Sequence, residues 1–227
     1  MDRNNQDIEK LKQEFIANAS HELKTPVTSI QLAVETAITA LENSKIEDAK
    51  KFLEQILKDS QRMTLLLTDL LDLSQLETNS PEKDIVNLKM IIESEVGYLS
   101  DVNKQRVKFE GGDIDFYIDP SDFSLIVRNL LRNACNYSDK EVLISLQQTD
   151  NLVELTIEDF GRGISIADQK RIFDRFYRVD KGRSRQLGGT GIGLSLVKHA
   201  AERNDGDVYL ESQLGEGSKF FVKFNKE

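Results

Sequence analysis

The chain contains two histidines, His21 and His199, and the first stands in a setting that could do chemistry. It lies in the segment Ser20-His21-Glu22-Leu23-Lys24-Thr25-Pro26. An imidazole with a pKa near ~6.5 is largely neutral at cytosolic pH and keeps a lone pair free. Such a nitrogen can attack a γ-phosphoryl group presented in line. If the Glu22 carboxylate accepts from one ring nitrogen, the other is left as nucleophile and the developing positive charge is stabilised. Thr25 follows His21 by one helical turn, so its hydroxyl shares that face and could orient a water toward a phosphoryl group. Pro26 removes a backbone N–H and favours a kink. Spacing alone also describes an exposed residue on an ordinary helix, and taken alone it favours that plainer reading.

Four further segments could hold a phosphorylated ligand. Asn129 and Asn133, in Asn129-Leu130-Leu131-Arg132-Asn133-Ala134, share a helix face. An amide carbonyl is a hard oxygen ligand suited to Mg²⁺. Asp159-Phe160-Gly161-Arg162-Gly163 closes an apolar strand. Its carboxylate only accepts hydrogen bonds, so it can read the exocyclic amine of adenine and would oppose the keto oxygen of guanine. The glycines Gly161 and Gly163 let backbone approach a base closely. Gly188-Gly189-Thr190-Gly191-Ile192-Gly193-Leu194 opens a helix, where backbone N–H groups form an anion cradle. Lys181, Arg183 and Arg185 just before it suggest a mobile basic lid over a triphosphate. Gly215-Glu216-Gly217-Ser218 reads on its own as a hairpin turn. Each segment has an ordinary alternative: a solvated helix, a β-turn, a surface loop.

These residues need elements to carry them. Up to about residue 78 the chain has one proline and no glycine. Ile8, Leu11, Phe15, Leu23, Ile30, Val34, Ala37 and Leu41 recur at helical spacing, and Asn43-Ser44 interrupts them. A second stripe follows through Ile46, Ala49, Leu53, Ile56, Met63, Leu67 and Leu70. Together they predict an antiparallel helical hairpin. One hairpin cannot surround its own apolar seam, whereas two copies can as a four-helix bundle, so a homodimer is expected. The domains expected are residues 1–78, a polar linker at 79–84, and residues 85–227. In the last of these, helices are predicted at Leu88–Leu99, Ser121–Asn136, Ser165–Phe173 and Gly191–Glu202. Strands are predicted at Val107–Phe109, Phe116–Ile118, Val142–Leu146, Leu152–Ile157, Val208–Glu211 and Lys219–Phe224. Arg178–Gly189 reads as a basic loop. The fold class expected is α+β: a helical hairpin followed by an α/β sandwich.

Composition narrows the function. A net charge of −9 repels phosphate backbones and argues against nucleic-acid binding. No apolar run approaches the roughly 18–20 residues that span a bilayer. The polar stretch Asp2–Lys12 does not read as a secretory leader. The single cysteine, Cys135, allows no intramolecular disulfide, fits a reducing cytosol, and reads as a packed small residue; His199 reads as structural.

The order and spacing of the segments together resemble the catalytic core of a bacterial sensor histidine kinase over essentially the whole chain. His21-Glu22-x-x-Thr25-Pro26 is similar to that family's H box, and Asn129–Ser138, Asp159–Gly163, Phe173–Arg178 and Gly189–Leu194 to its N, G1, F and G2 boxes. The resemblance implies a dimerization and phosphoacceptor domain followed by a Bergerat-type ATP-binding domain. It implies His21 as phosphoacceptor, Glu22 as base and Thr25 as phosphatase residue. It further implies Asn133 as the Mg²⁺ ligand with Asn129 beside the phosphates, Asp159 on the adenine amine, and Tyr137 lining the pocket. Arg178 would contact phosphate, with Gly189, Thr190, Gly191, Gly193 and Leu194 around it and Ser218 near the adenine. Two positions depart from the pattern. Asn136 replaces the usual lysine, which removes a charge near the phosphates and predicts weaker ATP binding; Phe160 replaces the usual asparagine.

Ser29, Leu32, Ala33 and Thr36 lie off the apolar stripe, and the resemblance implies that they meet the receiver domain of a response regulator. The expected activity is autophosphorylation of His21 from ATP, transfer to an aspartate of that regulator, and dephosphorylation of the regulator through Thr25. The alternatives are an ATP-hydrolysing conformational machine of the gyrase type and a non-catalytic dimeric nucleotide-binding scaffold. Residues 1–12 read as continuing from an upstream helix, so the chain is expected to be a cytosolic fragment whose membrane anchor, if any, lies upstream.

Overall fold

The computed structural model describes residues 2–180 and 189–226, with side chains at 2–12 and 14 excepted. The proposed basic lid, Lys181, Arg183, Arg185 and Gly188, and the side chains of Ile8 and Leu11 lie outside the described residues. The chain divides into two compact units, Met1–Leu71 with Asp180–Thr190, and Asp72–Val179 with Gly191–Glu227.

The first unit is built on two long helices, α1 (Asp2–Glu42) and α2 (Ile46–Thr78). The turn between them has a physical signature. Ser44 takes the left-handed conformation at φ 60°, Lys45 N–H bonds Ala40 O at 2.8 Å, and Ser44 N–H bonds Leu41 O at 2.9 Å. These paired bonds satisfy carbonyls that the helix end leaves open. Small residues fill the seam: Ala33, Ala37, Ala40 and Ala49 are buried. Two polar rungs cross it. Ser29 Oγ donates to Asp59 Oδ2 at 2.7 Å, and Arg62 Nη2 donates to Glu22 Oε2 at 2.7 Å.

The burial of Ala33, only 6% exposed, corrects the expected exposed patch of Ser29, Leu32, Ala33 and Thr36. A methyl side chain lets two helix backbones approach closely, so alanine is drawn to the seam. Ser29 is half-buried and committed to Asp59, whereas Leu32 is 64% exposed. The larger apolar residues behave the opposite way to the alanines. Val34, Ile38 and Leu41 on α1, with Ile46, Leu53, Leu57 and Leu67 on α2, all face outward from the hairpin.

The second unit holds a five-stranded mixed sheet in the order β2-β4-β5-β7-β6. These strands are β2 (Val107–Gly111), β4 (Val142–Gln148), β5 (Leu152–Asp159), β6 (Gly206–Gln213) and β7 (Gly217–Asn225). Only the β2–β4 pair is parallel. A two-stranded ribbon joins β1 (Asp84–Asn87) to β3 (Asp115–Ile118). Helices α3 (Leu88–Gly97), α5 (Pro120–Tyr137) and α7 (Gly193–Arg203) pack together on the sheet, and single turns form α4 (Asp101–Lys104) and α6 (Ile166–Gln169).

α5 shows why the local sequence folds as it does. Asp119 caps it by accepting from the Ser121 and Asp122 N–H groups, and Pro120 occupies the first turn, where no donor is needed. Phe123, Ile126, Leu130 and Ala134 then recur at steps of three and four and are buried. Each of the larger three contributes about 1.5–3 kcal/mol by leaving water. Their partners are the alternating inward residues of the strands, Val142, Ile144, Leu155, Ile157, Val222 and Phe224. The ribbon strand β1 begins at the last expected linker residue, Asp84, and was not predicted, because Asp84-Ile85-Val86-Asn87 is too short to show alternation; its preceding turn is held by Asp119, whose carboxylate also accepts from Glu82 N–H at 2.7 Å.

Candidate functional site

In the second unit, three loops converge around the end of β5. Asp159 terminates that strand, opposite Ser218 in the β5–β7 register. Its side chain is buried and accepts Gly161 N–H at 2.8 Å. Burial pushes the Asp159 carboxyl above the usual carboxylate range, against the lowering effect of the nearby Gly161 and Ser218 backbone N–H groups. The surrounding glycines are steric requirements. A Cβ at Gly161 would lie 2.2 Å from Tyr137 O, one at Gly163 would lie 2.0 Å from Gln213 O, and one at Gly217 would lie 2.0 Å from Asp159 O. Gly163 and Gly217 also hold φ values of 67° and 131°, which side-chain-bearing residues rarely adopt.

α5 supplies the next wall. Asn129 is buried; its Nδ2 donates to Leu125 O at 2.9 Å and its Oδ1 accepts from Arg132 Nη2 at 2.6 Å. Asn133, one turn on, is half-buried, and its side-chain amide makes no hydrogen bond among the described residues. Asn136 and Tyr137 are half-buried at the end of the helix, and the Arg162 guanidinium lies 4.8 Å from the centroid of the Tyr137 ring.

The third wall is the start of α7. Its cap residue, Ile192, offers no side-chain hydrogen bond, so the first N–H groups of that helix have no capping side chain. Gly191 and Gly193 flank this end. A Cβ at Gly193 would lie 2.7 Å from Asn129 Oδ1, so the closeness of α5 and α7 depends on glycine there. Leu194 follows in the helix, half-buried. Phe176 N–H donates to Gly191 O at 2.7 Å, and Phe176 itself sits at φ 62°, a strained value for a bulky residue. A clasp fixes the segment from the other side. Tyr177 Oη donates to Asp168 Oδ1 at 2.6 Å, Ser165 Oγ donates to Asp168 Oδ2 at 2.6 Å, and the Arg171 guanidinium lies 4.4 Å from the Tyr177 ring centroid. Those hydroxyls hold the Asp168 carboxyl below its ordinary value. Arg178 is half-buried just after the clasp.

Within the first unit, His21 is exposed on α1 and its ring makes no hydrogen bond among the described residues. Glu22 is held by Arg62, which is only 6% exposed, and no hydrogen bond joins it to His21. The Thr25 hydroxyl donates to the His21 carbonyl at 3.1 Å. Gly189 and Thr190 are grouped with this unit, where the Thr190 hydroxyl donates to Asp69.

Residues 11–79 match the His Kinase A (phospho-acceptor) domain, and residues 118–227 match the family of histidine kinase-, DNA gyrase B-, and HSP90-like ATPases. The chain belongs to the sensor histidine kinases. The kinase is 34% identical over 236 residues to the sensor protein kinase WalK of Staphylococcus aureus, an alignment spanning 96% of this chain and 54% of that protein. In WalK of strain JH9 it spans 37% of the protein, so the chain covers about half or less of the length of these relatives. In fold it is similar to the Acinetobacter baumannii histidine kinase AdeS, with a TM-score of 0.70 at 22% identity, covering 90% of this chain and 97% of that one. Full-length ShkA, solved in complex with AMPPNP, superposes with a TM-score of 0.63 at 21% identity, covering 93% of the kinase and 45% of ShkA.

The second unit thus holds Asn129, Asn133, Asn136, Tyr137, Asp159, Gly161, Gly163, Arg178, Gly191, Gly193, Leu194 and Ser218, and the first holds His21, Glu22, Thr25, Gly189 and Thr190. Sequence reading passed over Arg132, Arg162 and the Asp168–Tyr177 clasp. A cation three residues after Asn129 was a visible signal for the first, since that spacing places both side chains on one helix face. The clasp had none, because nothing in the spacing of Asp168 and Tyr177 points to a contact.

Proposed function

We propose that this chain uses ATP to phosphorylate His21 and that the phosphoryl group then passes to an aspartate of a response regulator. The match of residues 118–227 to histidine kinase-, DNA gyrase B-, and HSP90-like ATPases supports ATP as the nucleotide. The observation that supports the reading most is Asp159: a buried acceptor with a raised pKa, walled by glycines whose Cβ positions are already taken by backbone. A buried carboxylate that receives one backbone N–H group keeps lone pairs for a further donor, and the exocyclic amine of adenine is such a donor.

In this reading the uncapped start of α7 and its glycines face the phosphates, where backbone N–H groups stabilise negative charge without reorganising. Asn133, whose side-chain amide makes no hydrogen bond among the described residues, would hold Mg²⁺ and its water shell, and Asn129 would lie beside the triphosphate. The ion, when bound, neutralises charge on the transferring group. Tyr137 lines the base pocket, Ser218 lies beside Asp159, and Arg178 contacts phosphate. A His21 ring nitrogen attacks the γ-phosphorus, the P–N bond forms, the bond to the β–γ bridging oxygen breaks, and ADP leaves. The other ring nitrogen releases its proton. Glu22, whose carboxylate is paired with Arg62, would accept that proton. Dephosphorylation of the regulator would use the lone pairs of Thr25, whose proton is directed at the His21 carbonyl.

Labelling with γ-labelled ATP tests this. Wild type should gain acid-labile, base-stable label, and His21→Ala should gain none. Full labelling of that variant would overturn the assignment, and ATP hydrolysis without any label would favour the gyrase-type alternative. The outward Val34, Ile38, Leu41 and Leu53 support a homodimer through the hairpin. The exposed Leu32, with Thr36 beside it, supports regulator docking near the reactive histidine. Leu32→Ala should slow transfer to a receiver domain and spare autophosphorylation; unchanged transfer would remove that docking site.

A further inference from the structure

Binding a triphosphate requires cationic partners, and the position where this family's pattern places a lysine holds neutral Asn136. The geometry points to Arg132 as the residue that restores this charge by contacting the phosphates directly, an inference that rests on the ATP-binding reading above. Arg132 lies four residues before Asn136, so the two side chains occupy one face of α5 a single turn apart. Side chains on a helix lean toward its N-terminus, which carries the guanidinium toward Asn129. There Arg132 Nη2 donates to Asn129 Oδ1 at 2.6 Å.

The same guanidinium abuts the other wall of the site. A Cβ at Gly193 would lie 3.0 Å from Arg132 Nη2. Gly193 is the first residue of α7, the helix whose N-terminal N–H groups lack a capping side chain. Arg132 therefore stands between the amide pair Asn129/Asn133 and the anion-attracting end of α7. An arginine presents five N–H donors in a rigid fork that matches phosphate oxygens, and Asn129 orients that fork. The cation has moved back by one helical turn, and the expectation that Asn136 weakens ATP binding gives way to a site with its charge in a different place. A lysine at 136 and an arginine at 132 would be alternative solutions to one electrostatic requirement.

The test is a titration of the full chain with ATP in Mg²⁺ and, separately, with adenosine, followed by amide shifts in NMR spectra so that weak binding is read as well as strong. A charge-assisted bond to phosphate is worth roughly a 10–100-fold change in affinity. Arg132→Gln should weaken ATP by that factor and leave adenosine unchanged. Arg132→Lys should lie between wild type and Arg132→Gln. Adding Asn136→Lys to Arg132→Gln should restore most of the lost ATP affinity. The inference fails if Arg132→Gln binds ATP like wild type, or if it weakens adenosine and ATP equally, since Arg132 would then serve only to hold Asn129. It fails also if Asn136→Lys does not rescue. Wild type that binds neither ligand would instead refute the ATP reading itself.

Discussion

Replacing Asp159 with asparagine changes one charge and almost no volume. The aspartate has two oxygens, so it can meet Gly161 N–H and the adenine amine together. An asparagine has one oxygen and an NH₂ group. Whichever way its amide turns, a donor faces a donor. Losing the charge-assisted acceptor removes about 1.5–3 kcal/mol, and leaving a buried donor unsatisfied adds about 1 kcal/mol, so ATP affinity should fall roughly 100-fold. Affinity for GTP should fall less or rise, because the new NH₂ can donate to a guanine keto oxygen. Stability should move the other way. Burial raises the Asp159 pKa, so its contribution to folding is fully present below the ordinary carboxylate range and is lost as pH rises through the raised value. At neutral pH the ligand-free protein carries a buried charge that asparagine removes. Ligand-free Asp159→Asn should therefore unfold at equal or higher denaturant than wild type at pH 7, and the difference should narrow toward pH 4. Calorimetric titration with both nucleotides, paired with denaturant melts across pH, checks all three statements. Wild-type ATP affinity in the variant, or parallel losses for ATP and GTP, would refute the role of Asp159 in reading the base.

Gly217→Ala should destabilise the second unit by roughly 3 kcal/mol, because its φ is 131° and the new methyl would sit 2.0 Å from Asp159 O; a denaturant midpoint near wild type would contradict this. The Asp168 carboxyl is depressed by the Ser165 and Tyr177 hydroxyls, so the clasp is complete above the ordinary carboxylate range and opens as pH falls through the folded value. Tyr177→Phe should raise the Asp168 titration midpoint, read by NMR of the carboxyl carbon, and an unmoved midpoint would show that Tyr177 does not hold it. Ile38→Glu with Leu53→Glu should convert the chain to a monomer by light scattering without lowering helix content, since both side chains are already exposed in the single hairpin. A dimer that persists would place the contact elsewhere.

How much of this was legible in the residues differs between the two units, and the reason is physical. In the second unit, Asp119-Pro120 and the spacing of Phe123, Ile126 and Leu130 specify α5 almost to its ends, because cap and stripe agree. The loops were legible as glycine patterns, yet their contacts were not. That Gly161 packs on Tyr137 O and Gly163 on Gln213 O depends on strands far apart in the chain, and single-sequence periodicity carries no information across that distance. The β1 ribbon was missed because four residues are too few to show alternation, and the Asp168–Tyr177 clasp because a spacing of nine matches no regular period that would point to a contact.

In the hairpin, periodicity predicts helices correctly and assigns faces poorly. The stripe Ile30, Val34, Ala37, Leu41 reads as one buried face, but Ala37 is 3% exposed while Val34 and Leu41 are 39% and 54% exposed. A helix that must meet both its own partner and a second copy has two apolar faces about one residue apart, and a period of 3.6 merges them into one broad band. Size separates what period cannot. The alanines Ala33, Ala37, Ala40 and Ala49 mark the close seam within the chain, and the branched residues Val34, Ile38, Leu41 and Leu53 mark a surface still open to water. Because these side chains are about half exposed, a second hairpin packing on them would recover about 1 kcal/mol apiece. His21, the proposed phosphoacceptor, lies on the same helix as that surface, so whatever shifts the packing of Val34 and Ile38 also shifts the rod that carries it.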